Sequence, residues 1–291
     1  MEIIVGKTAG FCYGVKRAVE GAERELQENN KNIYCLGEIV HNKQVIQALE
    51  KQGIKMANEI EEIPEGKAIV RAHGIPKQTE EKAKKLGINL IDYTCPNVLK
   101  IHDIAQKYAE EDFYIFLLGS PNHPENIGTI SYCGDYYQVI EKEEEIENAI
   151  KTCQSTNKKR LLVIAQTTYS LEKFEKISEI IKQKLSEKIE IIIKNTICSA
   201  TKLRQKETEE LAKQVECMII IGGSNSSNTK KLYEIAKENC KNTICVETEK
   251  QLNVKEIQKF SKIGIMAGAS TPQFSIEEIV EKLKKKEEIL I

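Results

Sequence analysis

Three cysteines occupy matching positions in this sequence. Cys12 follows the apolar stretch EIIV, Cys95 lies in INLIDYTCP, and Cys198 lies in IEIIIKNTICS. In each case a predicted strand precedes the cysteine and a predicted helix follows it. A thiol at a helix N-terminus has a lowered pKa, because the helix dipole and the free N–H groups stabilise the thiolate that binds metals. The three cysteines are therefore candidate metal ligands.

The number of these cysteines bears on the kind of metal group. Structural zinc sites usually need four ligands, often at C-x₂-C spacing, and the sequence contains no such pair. An electron-carrying [4Fe–4S] cluster takes four thiolates, so three thiolates would leave one iron without a protein ligand and open to substrate. We favour a catalytic cluster, while a nucleophilic cysteine and a three-ligand zinc site remain open. The other six cysteines are interpreted as structural; they are Cys35, Cys133, Cys153, Cys217, Cys240 and Cys245.

Polar residues at two further strand ends repeat with the cysteines. A polar turn follows each cysteine by 28 or 29 residues and contains His41, His123 or Ser226. A second turn, 61 or 72 residues after the cysteine, contains His73, Thr167 or Ser270. Ligands of parallel sheets bind at the carboxyl ends of the strands. We therefore expect these residues and the three cysteines to converge on one central cavity.

Two of the polar turns have a composition suited to phosphate. GGSNSSN, which contains Ser226, Ser227 and Asn228, joins a predicted strand to a predicted helix, and GASTPQ, which contains Ser270, does the same. The N–H groups and hydroxyls of such turns can bind phosphate oxygens. Together with His41 and His73, two such turns predict a diphosphate ligand.

A carboxylate lies beside the second of these turns. Glu125 is two residues from His123 in NHPEN, and Thr167 belongs to the same repeat. A glutamate, a threonine hydroxyl and a histidine can form a proton relay that acts as a general acid. His102, on the helix after Cys95, is interpreted as a structural histidine instead.

The elements that must position these residues alternate between short apolar runs and longer amphipathic stretches. This pattern is typical of βαβ units around parallel sheets and predicts an α/β protein. The candidate strands are 3–5, 32–36, 67–72, 89–92, 113–118, 161–165, 189–193, 217–221, 243–246 and 262–267.

The repeat also predicts the domain organisation. Each copy of the repeat consists of a cysteine and the two polar turns that follow it. In the first two copies the last strand leads directly into the next cysteine, whereas the third copy reaches the end of the sequence after its final helix. The strand at 3–5 can take the missing place. We expect three α/β domains about a pseudo-threefold axis, spanning 1–95, 96–194 and 195–291, with strand 3–5 completing the sheet of the third domain.

Composition narrows the class of protein. The 291 residues carry 43 Lys and Arg against 44 Asp and Glu, so no bulk charge attracts nucleic acid or an anionic membrane. No apolar run reaches the roughly 18 residues of a membrane span, and the start MEIIVGKTAGF lacks the pattern of a signal peptide. We expect a cytoplasmic protein whose nine cysteines form no disulfide framework.

Nine short motifs resemble a known family. GFCYGV, EIVHN, RAHG, YTCP, HPE, QTT, TICSAT, GSNSSNT and AGASTP, in this order over nearly the whole chain, are similar to the 4-hydroxy-3-methylbut-2-enyl diphosphate reductases. The resemblance implies a trefoil of three α/β domains around one [4Fe–4S] cluster per chain, with one iron lacking a protein ligand. It also implies an oxidoreductase that ends the non-mevalonate isoprenoid pathway by reductive removal of a hydroxyl, which gives isopentenyl and dimethylallyl diphosphates.

The resemblance assigns roles to the residues in the motifs. Cys12, Cys95 and Cys198 match the cluster ligands, and Glu125, Thr167 and His123 match residues near the hydroxyl end of the substrate. The residues assigned to the diphosphate are His41, His73, His123, Ser226, Ser227, Asn228 and Ser270. A ferredoxin or flavodoxin is the expected electron donor. Two alternatives remain: an enzyme like quinolinate synthase, which condenses and dehydrates without net reduction, and a non-enzymatic iron–sulfur sensor.

Overall fold

A computed structural model describes residues 1–28, 33–64 and 66–285. Residue 32 of the predicted strand 32–36 and residues 286–291 of the predicted third domain lie outside this part of the chain. The strands are β1 (Glu2–Val5), β2 (Ile33–Leu36), β3 (Lys55–Ala57), β4 (Lys67–Val70), β5 (Asn89–Asp92), β6 (Tyr114–Leu118), β7 (Tyr137–Ile140), β8 (Arg160–Ala165), β9 (Glu190–Ile193), β10 (Cys217–Ile221), β11 (Thr243–Val246) and β12 (Lys262–Ala267).

The α-helices lie between these strands. They are α1 (Tyr13–Glu28), α2 (Lys43–Gln52), α3 (Lys77–Leu86), α4 (Pro96–Glu110), α5 (Pro124–Ile130), α6 (Ile146–Ser155), α7 (Leu171–Lys184), α8 (Ser199–Ala212), α9 (Ser227–Asn239), α10 (Val254–Ile257) and α11 (Gln273–Lys285). Within the residues that the structure describes, no helix has both the length and the apolar composition needed to cross a bilayer.

The strands form three four-stranded sheets with the same topology. The first sheet has the order β3-β2-β4-β5, the second β7-β6-β8-β9, and the third β11-β10-β12-β1. All the strand pairs are parallel. The N-terminal strand takes the place of a fourth strand in the third sheet, where Ile3 pairs with Ile263. The predicted fold class, α/β with three equivalent parallel sheets, is confirmed.

The chain folds into two compact units. The unit that holds the third sheet comprises Met1–Lys16, Val40–Ala48 and Ser199–Ile291. The unit that holds the first and second sheets comprises Arg17–Ile39 and Leu49–Cys198.

The central strands are apolar on both faces because helices cover both sides of a parallel sheet. In the second sheet, Phe116 and Val163 belong to one buried cluster, while Ile115 and Leu162 belong to another. Alternate residues of a strand point to opposite faces, so these clusters lie on the two sides of the sheet. The third sheet shows the same alternation, with Ile219 in one cluster and Ile220 in the other.

Candidate active site

Each of the three predicted cysteines lies at the same point of its sheet. Cys12, Cys95 and Cys198 immediately precede α1, α4 and α8, and each follows the edge strand β1, β5 or β9. The Cys12 N–H donates to the carbonyl of Ala269 at 3.1 Å. The Cys95 N–H donates to Ala72 and the Cys198 N–H to Thr167, both at 3.0 Å. In every case the acceptor is the second residue after the neighbouring strand.

This hydrogen bond shows which residues are equivalent in the three copies of the repeat. It makes Thr167 equivalent to Ala72 and Ala269, so His73 and Ser270 come one residue later. The predicted equivalence of Thr167 with His73 and Ser270 is therefore wrong by one residue. Counting along the sequence could not detect this, because the connections between the cysteine and this strand differ in length. The other predicted set is consistent, since His41, His123 and Ser226 each follow their strand by five residues.

The three cysteines are more accessible than most of the others. All nine cysteines lie in the described residues and none forms a disulfide; Cys12, Cys95 and Cys198 are partly exposed. The Asn97 amide donates to Cys198 Sγ at 3.2 Å, as expected for a sulfur that accepts hydrogen bonds. By contrast, burial raises the pKa of Cys35 to about 12 and that of Cys217 to about 11, so these thiols stay protonated.

Two of the six cysteines interpreted as structural differ in their surroundings. Cys133 is buried and its thiol donates to the Thr129 carbonyl. Cys245 is exposed on β11, which corrects the expectation that it is a small buried side chain. β11 is an edge strand of the third sheet, and only its last residue, Val246, is buried.

A buried carboxyl and hydroxyl meet in the two-sheet unit. The Thr167 N–H donates to Glu125 Oε1 at 2.6 Å, and the Thr167 hydroxyl donates to Glu125 Oε2 at 2.5 Å. The Glu125 side chain is only 2% exposed. Burial raises the pKa of Glu125 to about 7, against the lowering effect of these two hydrogen bonds. Near neutral pH this carboxyl can therefore hold a proton and release it.

The first turn of α5 sets the position of this carboxyl. His123 caps the helix, and its Nδ1 accepts a hydrogen bond from the Glu125 N–H at 3.2 Å. Pro124 occupies the first helical position, where proline is favoured because it has no N–H to satisfy. Because Nδ1 is the acceptor, a proton on the His123 ring lies on Nε2. The rings of His73 and His123 meet edge to face, with 5.5 Å between centroids.

Asn126 and Gln166 support the same region and were not singled out by sequence reasoning. The Asn126 amide donates to the Ser120 carbonyl at 2.7 Å and to Gln166 Oε1 at 3.0 Å. Gln166 Nε2 donates to the Thr168 hydroxyl at 2.8 Å. These bonds join the start of α5 to the end of β8, which carry Glu125 and Thr167. Their location inside NHPEN and QTT was the only available signal.

The serine-rich turns lie in the third-sheet unit. Ser226 caps α9, its hydroxyl oxygen accepting from the Thr229 N–H at 3.3 Å. The Ser270 hydroxyl donates to the His41 carbonyl at 2.9 Å. Ser227 is the first residue of α9 and is half-buried. The turn after β10 approaches His41 closely, because a Cβ on Gly223 would lie 3.0 Å from the His41 carbonyl oxygen.

Asn228 carries a buried amide without a protein partner in the described part of the chain. It is 3% exposed, in the first turn of α9, and neither its amide nitrogen nor its amide oxygen has a hydrogen-bond partner among the described residues. Buried polar groups without partners are costly, so such a group points to a ligand. The N–H groups at the start of α9 are likewise suited to an anion.

His102 is buried, as expected of a structural histidine, but its Nε2 has no hydrogen-bond partner among the described residues. It lies in the two-sheet unit and stacks on Tyr132, with 4.5 Å between ring centroids. Burial lowers the pKa of His102 to about 4, so the ring is neutral at physiological pH.

Three parallel sheets of the same topology, each followed by a cysteine at the start of a helix, define the class: an α/β protein built on a threefold internal repeat. The model of the LytB protein family matches residues 3–284. The chain belongs to the LytB family.

Relatives of known name agree with this assignment. The 4-hydroxy-3-methylbut-2-enyl diphosphate reductase of Clostridioides difficile is 42% identical over 286 residues, which cover 98% of this chain and 99% of that protein. A solved structure of (E)-4-hydroxy-3-methyl-but-2-enyl diphosphate reductase, described as the terminal enzyme of the non-mevalonate pathway, is 39% identical with a TM-score of 0.71 and covers 98% of this chain and all of that one. The Plasmodium falciparum reductase structure is 32% identical with a TM-score of 0.88 and covers 96% of this chain and 87% of that one.

Proposed function

We propose that the chain is a 4-hydroxy-3-methylbut-2-enyl diphosphate reductase, an iron–sulfur oxidoreductase of the non-mevalonate isoprenoid pathway. Family membership over residues 3–284 and the names of the relatives support the activity. The structural observation that carries it is the Glu125–Thr167 pair, whose threonine also accepts the backbone bond from Cys198. The names of the relatives favour this reaction over a quinolinate-synthase-like condensation or a non-enzymatic sensor.

The proposed cofactor is one [4Fe–4S] cluster held by Cys12, Cys95 and Cys198. The donor set fits this group, because three partly exposed thiols precede three helices at equivalent points of their sheets. When bound, the cluster supplies electrons and, at the iron without a protein ligand, a Lewis acid for the hydroxyl of the substrate.

The diphosphate of the substrate is proposed to bind Asn228 and its neighbours. The unpartnered amide of Asn228 can donate to one phosphate oxygen, while the start of α9 presents backbone N–H groups. The remaining proposed ligands, assigned through their motifs, are His41, His73, His123, Ser226, Ser227 and Ser270. Such donors fix the substrate by its non-reacting end, which orients the hydroxyl-bearing carbon.

Glu125 is the proposed proton donor, with Thr167 as the relay. The overall reaction consumes two electrons and two protons, replaces the C–OH bond by a C–H bond and releases water. The carboxyl of Glu125 can pass one proton through the Thr167 hydroxyl to the departing oxygen, because the two groups are already hydrogen-bonded. Protonation of the allylic carbon skeleton at either of two positions then gives the two products.

The organisation around this activity is also a proposal. We propose domain boundaries at 1–95, 96–194 and 195–291, with β1 belonging to the sheet of the third domain. A ferredoxin or flavodoxin is the proposed electron donor. A cytoplasmic location stays a prediction.

The proton donor can be tested by replacing Glu125 with Gln. The amide keeps the size of the side chain but cannot donate the carboxyl proton. We expect kcat to fall about 10²–10⁴-fold, because a positioned general acid contributes this much in the transition state. Iron content and affinity for inorganic diphosphate should remain near wild type. All three quantities are measured on one anaerobic preparation.

Glu144→Gln is a matched control, because Glu144 is an exposed glutamate of the same unit. It should leave kcat unchanged. A Glu125→Gln enzyme that turned over at the wild-type rate would remove Glu125 from the mechanism.

A further inference from the structure

The loop that leads to Cys12 is held by two side chains of α8. This loop, Gly6–Gly10, connects β1 to the cysteine in the third-sheet unit. Glu207 Oε1 accepts from the Lys7 N–H at 2.6 Å, and Glu207 Oε2 accepts from the Thr8 N–H at 2.8 Å. The Thr8 hydroxyl also donates to Glu207 Oε2. One carboxylate therefore satisfies three donors of the loop.

Arg204 binds the carbonyls of the same loop. Its Nε donates to the Thr8 carbonyl and its Nη2 to the Gly10 carbonyl, both at 2.9 Å. Arg204 is only 3% exposed, so its guanidinium lies in the interior of the unit. Arg204 and Glu207 are three residues apart on α8 and lie on one face of the helix. Together they bind donors of Lys7 and Thr8 and the carbonyls of Thr8 and Gly10.

The loop can approach α8 this closely because of its glycines. A Cβ on Gly6 would lie 2.0 Å from Met266 Sδ and 3.3 Å from Glu207 Cδ. Gly10 has φ 97°, a left-handed conformation that residues with a side chain rarely adopt. The loop thus has one tightly defined path between β1 and Cys12.

The charge of Glu207 is maintained at neutral pH. Burial alone would raise the pKa of this carboxyl, but the hydrogen bonds from Thr8 and the Lys7 N–H outweigh it and lower the pKa below its usual range. Hydrogen bonds to an ionised acceptor are stronger than those between neutral groups. The hydrogen bonds to the ionised Glu207 therefore hold the backbone of the loop in place.

We infer that Arg204 and Glu207 are positioning residues for Cys12, holding the Gly6–Gly10 loop so that the Cys12 thiol is preset to bind iron. The inference rests on the proposed function for the identity of the bound group. The segment is fixed on both sides, since the Cys12 N–H donates to the Ala269 carbonyl and the preceding loop is bound to α8. The helix that carries both positioning residues begins directly after Cys198, so its first turn follows a second proposed ligand.

The experiment compares the reactivity of the three thiols in protein stripped of iron under anaerobic conditions. Glu207→Ala and Arg204→Lys are treated with an alkylating reagent, and the rate at Cys12, Cys95 and Cys198 is read by mass spectrometry. We expect the rate at Cys12 to change about fivefold or more, because losing these bonds releases the local structure. Rates at Cys95 and Cys198 should stay within about twofold of wild type, because their N–H groups donate to the Ala72 and Thr167 carbonyls rather than to the loop before Cys12.

A milder variant keeps the test decisive if Glu207→Ala or Arg204→Lys fails to fold. Thr8→Val removes only the hydroxyl bond to Glu207 and should produce a smaller change at Cys12 in the same direction. Glu209→Ala is the matched control, because Glu209 lies on α8 but forms an exposed ion pair with Lys213. It should leave all three rates at their wild-type values.

Iron-loaded protein gives the second readout. The rate of iron transfer to a chelator should be higher for Glu207→Ala and Arg204→Lys than for wild type and Glu209→Ala. Unchanged reactivity at Cys12, or an equal change at all three cysteines, would overturn the positioning role. If wild-type protein took up no cluster, the proposed function would fail instead, while the alkylation rates would still report on the loop.

Discussion

At the scale of single residues, Thr167 connects two parts of the proposed chemistry. Its N–H and hydroxyl donate to Glu125, and its carbonyl accepts from the Cys198 N–H. Any displacement of Thr167 would therefore change both the environment of the acid and the backbone at a proposed cluster ligand. A threonine can do this because its backbone and side chain both carry polar groups.

The pH dependence of turnover should report on this pair. A general acid is active while protonated, so kcat should be level at low pH and fall as pH rises through about 7, the pKa of buried Glu125. Thr167→Val removes a hydrogen bond that lowers this pKa, so the falling limb should move to higher pH. At pH values below the falling limb, the kcat of Thr167→Val should be about tenfold lower than that of wild type, because the relay hydroxyl is lost.

Thr167→Ser, which keeps the hydroxyl, is the control and should retain the wild-type profile. An unchanged limb in Thr167→Val would show that another group sets the profile.

At the scale of elements, the junction between β6, α5 and β8 holds the acid. Gly119 follows β6, and a Cβ there would lie 2.5 Å from Asn126 Nδ2 and 2.8 Å from Gln166 Oε1. Gly119→Ala should therefore disturb the hydrogen bonds that align α5 with β8. We expect a loss of about 1–3 kcal/mol in the free energy of unfolding, as for overpacked sites, together with a reduced kcat.

Gly87→Ala separates the effect of crowding from the effect of removing a glycine. Gly87 ends α3 with φ 71°, and a Cβ there would meet nothing within 4 Å. This variant should lose about 1–2 kcal/mol through backbone strain while kcat remains unchanged. Denaturant unfolding and steady-state kinetics measure both quantities, and equal kcat in the two variants would contradict the proposed role of the junction.

The central strands could be predicted from sequence because burial on both faces makes them continuously apolar. The predicted strands 217–221 and 262–267 coincide with β10 and β12. β3 and β7 were missed, since both are short edge strands of mixed polarity. Their pairing depends on the neighbouring strand rather than on their own pattern.

At the scale of the whole molecule, the three copies make a clear prediction about iron. Cys12→Ser, Cys95→Ser and Cys198→Ser should each lose most of the iron and sulfide of anaerobically prepared protein, because an alcohol binds iron poorly in place of a thiolate. Cys245→Ser is the control, since Cys245 is exposed and its replacement disturbs no core. Full iron content in Cys95→Ser would refute the ligand assignment.

The repeat itself was visible in the sequence, whereas contacts between distant segments were not. The three cysteines and the strand that completes the third sheet followed from spacing alone. Glu207 lies 199 residues from Thr8, and nothing in the local pattern around either residue predicts their contact. Asn126 and Gln166 are 40 residues apart, and their bond became evident only once β6 and β8 were paired. These contacts are determined by the tertiary fold and not by the local sequence, so the sequence alone did not predict them.

The most direct test of the proposed function is anaerobic turnover of 4-hydroxy-3-methylbut-2-enyl diphosphate by iron-loaded wild-type protein with a reduced chemical mediator. Oxidation of the mediator and the products are followed together. The proposal predicts both isopentenyl and dimethylallyl diphosphates, with two electrons consumed for each product molecule. Protein that carried its full cluster yet consumed no electrons and formed neither product would contradict it.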